Sequence, residues 1–172
     1  ALAFAVGGTP VVRRLAWRAG VTDAPDPRKL HEQPMPLLGG VAIYAAVILA
    51  LIVFGNRLEI AQLGGILVGA TLVSFLGLWD DSRPLPPIVR LLAQFGAAAI
   101  AVASGVRVQL TGEPTIDIAL SLLWIVAITN ALNFMDNMDG LAGGVSAIAA
   151  GYFLLLALAN DQQLVAPLAA AV

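Results

Sequence analysis

The stretch "IALSLLWIVAITNALNFMDNMDG", residues 118–140, decides how this chain is built. Its first part, residues 118–135, is apolar and free of charge, and another charge-free run follows at residues 140–159. Because a helix that crosses a membrane needs about 20 mostly apolar residues, both runs predict membrane-spanning helices. The end of the first run and the connection to the second hold two amides and two carboxylates at intervals of three residues: Asn130, Asn133, Asp136 and Asp139.

The composition of the whole chain supports a membrane protein. Of its 172 residues, 59% are hydrophobic and only 12% are charged, whereas a soluble domain carries about 25% charged residues. The net charge of −2 is small and gives no indication of nucleic-acid binding, and we expect no nucleic-acid partner. The chain has no cysteine, which excludes a disulfide framework.

The apolar runs predict an all-α fold, a polytopic transmembrane helical bundle in one domain, residues 1–172. Backbone groups inside lipid must be hydrogen-bonded within their own segment, which makes helices the default. We expect five complete spans and two partial ones, and we expect the domain to be incomplete at both ends. The complete spans are residues 39–55, 60–79, 91–106, 118–135 and 140–159, and the partial ones are residues 1–12 and 164–172.

The basic residues predict the orientation of the bundle. Most of the nine Lys and Arg residues follow the first run or flank the turn after the third: Arg13, Arg14, Arg18, Arg28, Lys29, Arg83 and Arg90. Only Arg57 and Arg107 fall on the other side. Because cytoplasmic loops are enriched in Lys and Arg, residues 13–38, 80–90 and 130–139 are predicted to face the cytoplasm.

Three polar stretches share that predicted face: "DPRKLHEQPMPLLGG" at 26–40, "WDDSRPLPPIVR" at 79–90 and "NALNFMDNMDG" at 130–140. On a helix, each step of three residues turns about 300°, so the Asn/Asp series would wind slowly round one half of the surface. Ionisable residues at such depths are costly and are functional candidates. Acidic pairs beside a basic loop suit Mg²⁺ and phosphate groups.

Each feature also has an ordinary explanation. A solvated helix end accounts for Asp80 and Asp81 taken alone. Helix capping with Gly140 as a stop accounts for the Asn/Asp series, and the enrichment of cytoplasmic loops in basic residues accounts for "RKLH", with His31 an ordinary loop residue. The three stretches on one membrane face favour a magnesium–phosphate site over these separate explanations.

The motifs "RKLHEQPMPLLGG", "GLWDD" and "NALNFMDNMDGLAGG", in this order, resemble the polyprenyl-phosphate N-acetylhexosamine-1-phosphate transferase family. "PLLGG" stands where the MraY-type branch has a "PTMGG"-type sequence, so the chain is more similar to the WecA/TagO-type branch. Asn137 stands where many members have Gly. The family's later "GDxGS" stretch and His-rich loop are missing, so we expect an amino-terminal fragment that is inactive alone and lacks a further metal ligand.

The resemblance implies a reaction at a bacterial inner (plasma) membrane, with the active site facing the cytoplasm. A polyprenyl phosphate, undecaprenyl phosphate in bacteria, attacks the β-phosphate of a UDP-N-acetylhexosamine, UDP-GlcNAc in this branch, and UMP leaves. This is the first membrane step of cell-envelope polysaccharide synthesis, such as lipopolysaccharide or teichoic acid. The implied cofactor is Mg²⁺, with Mn²⁺ as an alternative, and the implied assembly is a homodimer.

The same resemblance assigns roles to residues. Asp80 and Asp81 are the predicted catalytic residues, and Asp80, Asp81 and Asp136 are the predicted metal ligands. The remaining polar residues are predicted to bind the substrates: Arg28, Lys29, His31, Arg90, Asn130, Asn133, Asp136 and Asp139. The acidic pairs and Lys29 should therefore converge at one membrane face.

Two roles are open for Asp80 and Asp81: a base that ionises the acceptor phosphate, or a ligand that positions Mg²⁺. A phosphate monoester has a second pKa of about 6 and is already mostly dianionic at neutral pH, which favours the metal role. Alternative functions are an MraY-like phospho-MurNAc-pentapeptide transferase, an ion-coupled transporter and a non-catalytic scaffold subunit. Transporter carboxylates are expected near mid-membrane, whereas these stand at the ends of the apolar runs.

Overall fold

The computed structural model describes residues 2–23, 35–36, 38–54, 60–136, 138, 140–162 and 165–171, and these residues form an α-helical bundle. The helices are α1 (Leu2–Ala19), α2 (Gly39–Phe54), α3 (Ile60–Ser82), α4 (Pro87–Ala103), α5 (Pro114–Met135), α6 (Leu141–Ala159) and α7 (Val165–Ala171). A short antiparallel strand pair, β1 (Thr22–Asp23) and β2 (Met35–Pro36), lies between α1 and α2. The all-α prediction is confirmed, and each predicted span corresponds to one helix.

Length separates the described helices into two groups. By length and composition, α5, α6 and α3 from Ala61 onward can cross a membrane, whereas α2 and α4 are apolar but shorter. The 17 residues of α4 span about 26 Å at 1.5 Å per residue, a little less than the hydrocarbon core of about 30 Å. Very little of the long helices is covered by the rest of the chain, since at most 11% of each apolar window is buried.

Two helices begin earlier than their apolar runs because proline starts them. The run predicted at 91–106 is a helix from Pro87, and it takes in Arg90. The run predicted at 118–135 is a helix from Pro114, and it takes in Asp117. Proline favours the first helical position, because its φ is already helical and its missing N–H would have no partner there. Helix α4 ends at Ala103, shortly before Gly105, whose φ of +103° is not helical.

The first helix is longer than predicted. Residues 1–12 were expected to end a helix, but α1 continues through Arg13, Arg14 and Arg18 to Ala19. Arginine is a good helix former, and its long stem can reach the membrane interface. The helix ends before Gly20, which has a φ of +69°. Part of the basic segment therefore belongs to α1 rather than to a loop.

Helix α4 packs between α3 and α5, while α1 packs on α2, and α7 packs on α2 and α6. The α3–α4 contact is close because Gly65 and Gly69 of α3 lie one turn apart and are buried. A Cβ added at Gly69 would lie 3.1 Å from the carbonyl oxygen of Ala97, and one at Gly65 would overlap the side chain of Ser104. Small residues allow such close approach of helices in membranes.

Candidate active site

The ends of α3 and α5 lie at the same end of the bundle as the start of α4. Arg90, in the first turn of α4, bonds Asp80 near the end of α3. Gln94, one turn further along, bonds Asn130 near the end of α5. At the other end, Gly105 after α4 lies close to Gln62 at the start of α3. We call the end that carries Asp80 and Asn130 the acidic end.

Asp80 organises the turn between α3 and α4. One carboxylate oxygen, Oδ2, accepts a hydrogen bond from Nη1 of Arg90 at 3.0 Å, and the other, Oδ1, accepts one from the backbone N–H of Leu85 at 2.7 Å. Leu85 is the only residue between 84 and 87 with an N–H, because the others are proline. The side chain of Asp80 is 22% exposed. Both oxygens of Asp80 thus hold the turn together.

Asp81 faces a different region. Successive residues on a helix point about 100° apart, and Asp81 lies at the end of a groove between α2 and α3 with a volume of about 380 Å³. The groove is mostly apolar, with walls that include Val41, Phe75 and Leu78. Within it, the hydroxyl groups of Tyr44 and Thr71 share a hydrogen bond of 2.5 Å. The side chain of Asp81 is exposed to solvent and also borders the apolar groove.

Asn130, Asn133 and Asp136 line a second, polar cavity of about 740 Å³ at the end of α5. The helix ends at Met135, and the N–H of Asp136 makes the last bond, to the carbonyl of Leu132 at 3.1 Å. The expectation that the whole Asn/Asp series winds round one helix is therefore wrong. The chain turns after Asp136, and α6 starts after Gly140, whose φ is +73°. The helix thus presents only the first two members of the series.

Gln94 is a site residue that sequence reasoning missed. The amide Nδ2 of Asn130 donates to Oε1 of Gln94 at 2.5 Å and to the carbonyl of Val126 at 2.8 Å. In return, Nε2 of Gln94 lies 3.5 Å from Oδ1 of Asn130. A signal was present, because Gln94 is a polar residue in an otherwise apolar run and stands four residues after Arg90.

Several predicted site residues lie outside the described residues: Arg28, Lys29, His31 and Asp139. Within the described ranges, no three carboxylate or imidazole groups are close enough together to hold a metal ion. Asp80, Asp81 and Asp136 therefore do not form a three-ligand cluster by themselves. Mg²⁺ prefers one or two carboxylates together with phosphate oxygens and water. Asp81 and Asp136 are both exposed and border cavities at this end of the bundle, which suits that requirement.

The opposite end of the bundle holds another carboxylate that the sequence reasoning passed over. Asp117, in the first turn of α5, is 5% exposed. Its Oδ1 accepts hydrogen bonds from the N–H groups of Leu110 and Thr111 and from the Thr111 hydroxyl, at 2.9 to 3.2 Å. The adjacent Ser121 hydroxyl accepts the N–H of Val108 at 2.9 Å. Asp117 therefore orders the loop between α4 and α5, and its role is structural.

Comparison with known proteins identifies the family. The family model described as glycosyl transferase family 4 matches residues 63–172, from α3 through α7. A probable undecaprenyl-phosphate N-acetylglucosaminyl 1-phosphate transferase of Bacillus subtilis is 35% identical, over 91% of this chain and 46% of that protein. A decaprenyl-phosphate N-acetylglucosaminephosphotransferase of Mycolicibacterium smegmatis is 32% identical, over 81% of this chain and 39% of that protein.

A phospho-N-acetylmuramoyl-pentapeptide-transferase of Bacillus cytotoxicus is similar at a lower identity of 26%, over 91% of this chain and 55% of that protein. The chain thus spans about half the length of the curated relatives it matches. No solved structure matches the chain significantly. The resemblance to the transferase family is confirmed, and because the family model matches more than half of its residues, the chain belongs to glycosyl transferase family 4.

Proposed function

We propose that the protein transfers N-acetylglucosamine-1-phosphate from UDP-GlcNAc to polyprenyl phosphate and releases UMP. The observation that carries this proposal is the acidic end, where the Asp80–Asp81 turn and the polar cavity of Asn133 and Asp136 lie on two helices that both contact α4. The names of the relatives from Bacillus subtilis and Mycolicibacterium smegmatis agree with this reaction. Membership of family 4 gives no support to the transporter or the scaffold hypothesis.

The chemistry of the reaction explains why such residues are needed. Both reactants are anionic, so their charge must be neutralised where the phosphates meet. Bound Mg²⁺ would polarise the phosphoryl oxygens and orient both reactants. We assign its protein ligands to Asp81 and Asp136, and hydrogen bonds to the nucleotide sugar to Asn133, whose amide both donates and accepts. Arg28, Lys29 and His31 are assigned to the acceptor phosphate.

The proposed orientation places the acidic end in the cytoplasm of a bacterium, where UDP-sugars are made. Arg83 and Arg90 lie at this end, and Arg13 lines a small cavity with Gly39, at the start of α2. Arg107 follows α4 at the opposite end. This distribution of cations agrees with the rule that cytoplasmic segments carry more Lys and Arg. The polymer built from the product, the homodimer and the use of Mn²⁺ remain predictions.

The proposal is tested with the full-length protein in detergent or in vesicles that contain undecaprenyl phosphate. We expect labelled GlcNAc-1-phosphate to pass from UDP-GlcNAc to the lipid with release of UMP, and EDTA to stop the transfer until Mg²⁺ is added back. Transfer exclusively from UDP-MurNAc-pentapeptide would instead assign the protein to the reaction named for its Bacillus cytotoxicus relative. Absence of transfer from either donor would overturn the proposal.

A further inference from the structure

Helix α4 carries two polar side chains on one face, and each reaches a different neighbouring helix. Arg90 and Gln94 are four residues apart, so they lie one above the other on the helix surface. Arg90 bonds the carboxylate of Asp80 on α3, with a distance of 3.0 Å. Gln94 bonds the amide of Asn130 on α5. The two contacts link the proposed catalytic turn to the polar cavity through one helix turn.

The buried packing of α4 lies away from the acidic end. Among the described residues, α3 and α5 are not one of the helix pairs in extensive contact, whereas α4 packs on both. The close packing of α3 on α4 lies further from the acidic end, where Gly65 meets Ser104 and Gly69 meets Ala97. The buried residues of α4 begin only at Ala97. Near Arg90 and Gln94, the contacts that join α4 to its neighbours include these two polar pairs and the short loop from α3, residues 83–86.

We infer that α4 acts as a spacer, and that Arg90 and Gln94 are positioning residues that hold the Asp81 carboxylate in register with the cavity of Asn133 and Asp136. This inference rests on the proposed function, because it assigns the two sides of that site to two different helices. Arg90 then acts through Asp80, rather than by binding a phosphate. Asn130 likewise acts as the attachment point of α5, since its amide nitrogen already donates to Gln94 and to Val126.

The spacer role predicts a specific kinetic signature. When the contact between Gln94 and Asn130 is lost, each side of the site keeps its own residues, so both substrates still bind. Their reacting groups, however, are held in poorer alignment. A misplacement of about 1 Å can cost about 100-fold in rate. For Gln94→Leu we therefore expect kcat to fall by roughly 10-fold to 100-fold, with the KM of each substrate changed less than about threefold. A phosphate-binding Arg90 would instead raise the KM of the acceptor lipid when replaced.

Gln62→Leu is the matched control, because it makes the same chemical change at the opposite end of α3. The exchange variant Gln94→Asn with Asn130→Gln keeps one amide on each helix and should recover part of the lost kcat. Arg90→Lys, which keeps a cation beside Asp80, should retain more activity than Arg90→Gln. The spacer role would be overturned if Gln94→Leu and Gln62→Leu had the same kcat. It would also be overturned if Gln94→Leu raised KM and left kcat unchanged.

A distance measurement separates this inference from the proposed function. Spin labels are attached at Ser82→Cys on α3 and Ala131→Cys on α5, both exposed positions, in a full-length protein in which every other cysteine has been replaced by serine. In the full-length protein, we expect Gln94→Leu to broaden or shift the label-to-label distance by a few Å, and Gln62→Leu to leave it unchanged. An unchanged distance in both variants refutes the spacer. A changed distance, together with no transfer of sugar by the protein without labels or cysteine substitutions, would leave the spacer standing and refute only the function.

Discussion

Two adjacent carboxylates at the end of α3 have different surroundings, although the sequence presents them as a pair. Asp80 accepts hydrogen bonds from Arg90 and from the N–H of Leu85 on its two oxygens, and it is mostly covered. Asp81 is exposed beside an apolar groove. The difference follows from helix geometry, since one step along the helix turns the side chain by about 100°. We therefore propose different roles for the two residues, with Asp80 ordering the turn and Asp81 holding Mg²⁺.

The first prediction concerns Asp81. If Asp81 holds Mg²⁺, Asp81→Asn should raise the Mg²⁺ concentration for half-maximal rate by about tenfold, with little recovery at high pH. If Asp81 is instead a base, the change should cost about 10² to 10⁴ in rate, and higher pH should restore part of it as more acceptor ionises unaided. Transfer assays over a grid of pH and Mg²⁺ concentration decide between them.

Asp80→Asn provides the comparison for that assay. Its amide oxygen can still accept the N–H of Leu85, but the ion pair with Arg90 is lost. We expect a fall in kcat with an unchanged Mg²⁺ requirement. If Asp80→Asn raised the Mg²⁺ requirement as much as Asp81→Asn does, Asp80 would also have to be a metal ligand.

At the scale of the helices, the close packing of α3 against α4 depends on the positions of small residues. Gly65 and Gly69 bring α3 against α4, where they face Ser104 and Ala97. Among the described residues, most other glycines, Gly64 included, have open space where a Cβ would be added. Since van der Waals packing is a main source of helix association in lipid, the two close positions matter more than the overall glycine content.

The second prediction tests this contact. Gly65→Val should destabilise the protein by about 1 to 3 kcal/mol, because the new side chain overlaps Ser104 and forces the helices apart. Gly64→Val is the matched control, since a Cβ there meets no atom within 4 Å. Thermal unfolding of the full-length variants in detergent provides the measurement. Equal midpoints for the two variants would show that the α3–α4 contact contributes little.

At the scale of the whole molecule, the described helices leave most of their apolar surface uncovered. Large side chains such as Leu92, Trp124 and Tyr152 are more than 60% exposed. Surface of this kind is stable only against lipid or another apolar surface. Polar groups concentrate instead at the two ends, with Asp80 and Asn130 at one and Asp117 at the other. This arrangement is what a bundle crossing a membrane requires.

The third prediction concerns orientation. Ser82 lies at the acidic end and Leu110 lies in the loop at the opposite end, where its side chain is 76% exposed. In intact cells, a membrane-impermeant maleimide should label Leu110→Cys from outside, and it should label Ser82→Cys only after the membrane is opened. The reverse pattern would place the acidic end outside the cytoplasm, where UDP-sugars are absent, and would contradict the proposed function.

The sequence alone determined the all-α bundle, the number of apolar segments and the family, because these depend on local hydropathy and on short motifs. It could not determine the partners of individual side chains, because those depend on helix rotation and packing. Only the tertiary structure decided that Asp80 holds the proline turn, that Gln94 pairs with Asn130, and that the Asn/Asp series leaves the helix at Asp136. Proline at the start of α4 brought Arg90 into a helix and into reach of Asp80, a contact between residues ten positions apart that no apolar pattern records.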